Sequence, residues 1–120
     1  MQTNQSLHSL NGAYAVLTVL GEKLLDAELL LLGEGEEAPN PILAKQKLLY
    51  VERQLLTMAN TKDIVSTLNS FQYSALMFRL RQVYQLLDKC CEVLSQKDEA
   101  AIYRYFAMCF TLKLTSTPSS

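Results

Sequence analysis

The sequence predicts an all-α fold, an antiparallel bundle of about four helices. Apolar residues recur at intervals of three and four along most of the chain, which is the spacing of one helix face. No stretch of useful length alternates apolar and polar residues as a half-buried strand would. Helices joined by short turns pack antiparallel, at crossing angles of about 20°. The alternative is a helical hairpin that completes its bundle with a second chain.

The first predicted helix covers residues 13–32. Gly21 lies inside it at a cost of about 1 kcal/mol relative to Ala, and offers a place where another helix can approach closely. Gly33 is expected to end the helix, and the polar residues 1–11 before it are expected to be flexible. The apolar face steps by four and three residues through Ala13, Leu17, Leu20, Leu24, Ala27 and Leu31.

The second predicted helix follows an acidic linker at 33–41 that contains two Gly and two Pro. Asn40 is a favoured N-cap, and Pro41 fits the first helical position, so together they predict the helix start. The helix covers about 41–59, and its apolar face comprises Ala44, Leu48, Val51, Leu55 and Met58.

The third predicted helix covers 62–94 as one helix. Its weak part is 66–74, rich in Ser, Thr and Asn, where a kink near Asn69-Ser70 is the expected irregularity. Its strongest part repeats every three and four residues through Tyr73, Leu76, Leu80, Val83, Leu87, Cys90 and Leu94, a heptad pattern. Ser95 to Asp98 matches a capping box with Asp in place of Glu, which predicts a last helix over about 96–114. The tail, 115–120, is expected to be flexible.

Length and charge exclude several classes of function. A chain of 120 residues forms a single domain, 1–120. It carries 11 Lys+Arg and 12 Asp+Glu, without a basic cluster, so we expect no nucleic-acid partner.

The most apolar stretch, 13–32, contains four charged residues, each costing about 2.5–3.5 kcal/mol in a bilayer centre, so we expect no membrane span. The N-terminus lacks the features of a signal peptide, which predicts a cytoplasmic protein.

The reactive residue types do not form a predicted catalytic, metal or cofactor site. Cys90, Cys91 and Cys109 are interpreted as core residues and as free thiols in a reducing compartment. The single His, His8, lies in the polar N-terminal stretch, where we expect a surface residue. The carboxylates fall in the linker or on solvent-facing helix sides. We therefore predict a non-enzymatic protein with no cofactor and no small-molecule substrate.

The last and first helices carry more apolar surface than a small bundle can cover. Large exposed apolar patches usually mark interaction sites, and aromatic residues with Arg are typical of interface hot spots. The candidate partner-binding residues are Tyr103, Arg104, Tyr105, Phe106, Phe110, Leu29, Leu30 and Leu32. A monomer whose core takes up these side chains is the alternative, because protein surfaces are normally more than half apolar.

In its size, all-helical pattern, near-neutral charge and excess of apolar surface, the chain resembles small bacterial secretion chaperones such as the flagellin-chaperone type. It resembles the helical subunits of eukaryotic scaffolding complexes equally well. No motif matches residue by residue, so no family and no functional residue follows from the resemblance.

The sequence thus predicts a protein-protein interaction module, a chaperone-like adaptor or a subunit of a multiprotein assembly. A partner helix would lie against an apolar helix face, as in helix-in-groove recognition. The alternatives are a homo-oligomeric structural bundle and a helical regulator that contacts nucleic acid.

Overall fold

The chain forms an elongated all-α bundle, which confirms the predicted fold class. The computed structural model describes the backbone of residues 2–115 and the side chains of residues 12 and 14–115; residues 1 and 116–120 lie outside it. The described part measures 50 × 32 × 21 Å. Its helices are α1 (Gln2–Leu32), α2 (Pro41–Asn60), α3 (Lys62–Thr67), α4 (Ser70–Val93) and α5 (Lys97–Thr115).

The central pair of the bundle is α2 and α4. α1 packs against both of these helices, whereas α5 packs mainly against α4. Lys45, near the start of α2, reaches Glu99, near the start of α5, so α2 begins where α4 ends and the two run antiparallel. α1 and α5 make at most marginal contact with each other. The first and last helices therefore do not close a four-helix ring.

The predicted apolar faces form the core. The predicted positions on α2 are all buried, as are those on α1 from Leu17 onward; the side chain of Ala13 lies outside the described residues. On α4 the positions from Leu76 to Cys90 are buried, whereas Tyr73 and Leu94 lie at the ends of the pattern and keep part of their surface exposed. The largest fully buried side chains are Leu24, Leu48, Leu55, Leu76, Leu80 and Leu87.

α1 begins earlier than predicted and ends where predicted. The helix begins at Gln2, so residues 2–11 continue it rather than precede it; their side chains, including that of His8, are outside the described part of the chain. Gly33 follows the last helical residue at φ 84°, a left-handed conformation that glycine adopts without steric cost. Its N–H donates to the Leu29 carbonyl at 2.8 Å.

The linker between α1 and α2 turns the chain back on itself. Asn40 N–H donates to the Leu30 carbonyl at 2.7 Å. The Asn40 side-chain oxygen accepts from the Leu43 N–H at 3.1 Å, and Pro41 is the first residue of the helix. The predicted start of α2 at Asn40-Pro41 is therefore confirmed.

Residues 62–94 form two helices, so the prediction of a single helix is wrong. The break lies at Leu68 and Asn69, where a capping box starts α4. The Gln72 N–H donates to Asn69 Oδ1 at 2.7 Å, and the Asn69 N–H donates to Gln72 Oε1 at 3.0 Å. The two hydrogen bonds satisfy backbone N–H groups that have no partner within the helix at its N-terminus. They therefore stabilise a new helix start at this point and interrupt the single helix that was predicted. The Asn-x-x-Gln spacing was the available sequence signal.

Ser95 terminates α4 and does not cap α5, contrary to the predicted capping box. The Gln96 N–H donates to the Cys91 carbonyl at 2.7 Å, and the Ser95 N–H donates to the Glu92 carbonyl at 3.1 Å. These are the two hydrogen bonds of a Schellman motif, in which one residue adopts a left-handed conformation. That residue is Ser95, at φ 61°. α5 then begins at Lys97.

We expect Ser95→Gly to raise the free energy of unfolding by about 1 kcal/mol, as measured by urea denaturation. The left-handed conformation costs a side-chain-bearing residue about 1–2 kcal/mol, and the greater flexibility of unfolded glycine offsets part of the gain. The reciprocal change, Gly33→Ser, is the matched control. It should lower stability, because a Cβ at Gly33 would also meet the Glu37 carbonyl oxygen at 3.0 Å. An unchanged or lower stability of Ser95→Gly would contradict the strain argument.

Candidate functional site

α5 carries two apolar faces on opposite sides of one helix. We call the side that packs against the rest of the protein the inner face. Its positions step by three and four residues, and Ala100 and Ala107 are buried on it. The small side chains let α5 lie close to α4. The inner face comprises Ala100, Tyr103, Ala107, Phe110 and Leu114.

An aromatic cluster sets the rotation of α5 on α4. Tyr84 of α4 is buried, and its ring centroid lies 6.0 Å from that of Tyr103, 5.2 Å from Phe106 and 5.8 Å from Phe110. These separations fall in the range of favourable ring–ring contacts. Burial raises the pKa of both Tyr84 and Tyr103 above the usual value, so the phenols stay neutral. Turning α5 about its axis would break all three contacts at once.

Arg104 forms ion pairs with acidic side chains of α4. Its guanidinium donates to both oxygens of Asp88 at 3.0 Å and to Glu92 Oε1 at 2.6 Å. The hydrogen bonds to Asp88, and then to Glu92, raise the pKa of Arg104 above its usual value. Exposed ion pairs of this kind add little stability. They do direct Arg104 towards α4, along one flank of α5.

Lys45 joins the start of α2 to the start of α5. Its Nζ donates to Gln96 Oε1 at 2.6 Å and to Glu99 Oε2 at 2.7 Å. Burial by itself would lower the pKa of Lys45, but the hydrogen bond to Glu99 raises it above the usual value. The lysine therefore stays charged, and it anchors the first turn of α5 against α2.

The opposite side of α5, which we call the outer face, is apolar and open to solvent. Tyr105 and Leu112 are each 59% exposed, Met108 is 53% exposed and Ile102 is 52% exposed. The only charged residue between Glu99 and Lys113 is Arg104, which is paired with α4. The outer face is a continuous apolar strip about 17 Å long at 1.5 Å per residue. It comprises Ala101, Ile102, Tyr105, Met108 and Leu112.

The structure separates the predicted partner-binding residues of α5. Tyr103 and Phe110 point inward to Tyr84, Arg104 pairs with acids, and Phe106 borders the cluster at 38% exposure. Tyr105 alone lies in the outer face, because consecutive helical residues point in different directions. The face is completed by Ile102, Met108 and Leu112, which the sequence analysis did not select. A second spacing of four, three and four residues from Ala101 to Leu112 was the signal that could have found Met108 and Leu112.

The predicted partner-binding leucines of α1 lie apart from the outer face of α5. Leu29 and Leu30 are half-buried and line a groove of about 370 Å³ between α1, the linker and α2. Leu32 is 66% exposed. Charged side chains also line this groove, including Asp26 and Lys47. Because α1 and α5 hardly touch, these leucines do not extend the outer face of α5.

The cysteines are packed in or near the core. Cys90 and Cys91 are fully buried, which confirms the predicted core position of Cys90, and Cys109 is half-buried. Burial raises the pKa of Cys90 to about 11 and also raises that of Cys91. Both are therefore thiols at neutral pH, whereas nucleophilic attack and metal ligation require the thiolate.

The described residues contain no group of three or more His, Cys, Asp or Glu side chains arranged to hold a metal ion. Within that same part of the chain, none of the helices has the length and apolar character needed to cross a membrane.

Comparison with known proteins gives no match among family models, curated proteins or solved structures.

We expect stability to fall as the pH rises from about 9 to about 11. An unfolded Cys90 loses its proton near its usual pKa of 9.0, whereas the buried thiol keeps it until about 11. In that window the unfolded state binds fewer protons, so rising pH favours unfolding. The pKa values of Cys91 and Tyr84 are also raised in the folded protein, so their ionisation lowers stability at high pH in the same way.

Urea denaturation across this pH range checks the prediction. Cys90→Ala should flatten the alkaline decline, whereas Cys109→Ala, which removes a half-buried thiol, is the matched control and should keep it. Parallel pH profiles for wild type and Cys90→Ala would show that this thiol does not drive the effect.

Proposed function

We propose that this protein is a non-enzymatic interaction module that binds another protein chain through the outer face of α5. The observation that supports the proposal is the continuous apolar strip on that face, four of whose side chains are more than half exposed. Apolar surface left in water costs about 25 cal/mol per Å² relative to burial. Covering this strip with a partner is the simplest way to remove that cost.

The exposed apolar residues of α1 do not form a comparable surface. On α1, Val19 and Leu25 are about half exposed, but the charged residues Glu22, Lys23 and Asp26 lie among them. A partner on α1 would have to desolvate these charges. The outer face of α5 has no such charge in its centre, which is the composition typical of an interface core.

Contacts with α2 and α4 fix the orientation of the outer face. Tyr84 determines the rotation of α5, Lys45 anchors its first turn, and Arg104 ties one flank to α4. A surface held rigidly in advance loses little conformational entropy when a partner docks. The partner most suited to it is an amphipathic helix laid along α5 at a shallow crossing angle.

We further propose that the protein acts in the cytoplasm as an adaptor or as a subunit of a larger assembly. The three cysteines are all free, which is typical of a reducing compartment.

Site-specific photo-crosslinking tests this function. A photoreactive phenylalanine analogue placed at Tyr105 or Leu112, in the protein expressed in its native cells, should give a discrete covalent adduct. The analogue at Leu25 is the matched control, because Leu25 is 57% exposed but lies on α1. Mass spectrometry of the adduct identifies the chain that covers the face.

Adducts at Tyr105 and Leu112 but not at Leu25 support the proposal. Equal labelling at all three positions would indicate unspecific contact, and no adduct at either α5 position would contradict the proposal. Retained helicity by circular dichroism shows that each variant is folded.

A further inference from the structure

We draw no further inference here: the strongest candidate, the exposed apolar strip on the outer face of α5, carries nothing beyond the proposed function, because nothing in the structure shows what covers it.

Discussion

The packing of Tyr84 against the aromatic rings of α5 is the contact on which the candidate site depends. Three rings meet one buried phenol, and the alanines of the inner face let the helices approach closely. This arrangement decides which side of α5 is buried. Because the outer face lies opposite, the contact with Tyr84 determines which side chains of α5 are exposed to solvent.

The remaining architecture supplies the platform for that contact. α2 and α4 form an antiparallel pair with a leucine-rich core, and α1 covers one side of it. α5 makes its extensive contact with α4 and not with α1. A helix packed on one neighbour has a large part of its circumference in solvent. When that part is also apolar, burial of further surface by another chain becomes favourable.

The polar contacts complement the aromatic cluster. Lys45 binds the first turn of α5, and Arg104 binds two acids of α4, so α5 is tied on both flanks. Each exposed ion pair contributes little free energy, but together they limit rotation and sliding of the helix. The outer face is consequently presented in one orientation. This rigidity, added to the absence of charge in the centre of the strip, favours specific binding over unspecific adhesion.

Periodicity alone was sufficient to predict much of this fold. Spacings of three and four residues identified the buried faces of α1, α2 and α4, and local backbone chemistry located Gly33 and Asn40-Pro41 at helix boundaries. These features depend on residues close together in the chain. The weak point near Asn69 was predicted, but as a kink in one helix and not as a division into two helices, and the left-handed Ser95 was not predicted.

The two faces of α5 show what the sequence could not decide. The apolar residues of both faces repeat at intervals of three and four residues. Periodicity therefore identifies two faces that could pack against the bundle, but it does not show which of them is buried. The choice depends on Tyr84, Lys45 and Asp88, which lie on other helices and are distant in sequence. The amino-acid sequence by itself thus determined that α5 would be apolar on nearly every side. Only the three-dimensional packing decided which side is hidden, because contacts between helices select one rotation among several that local structure permits equally.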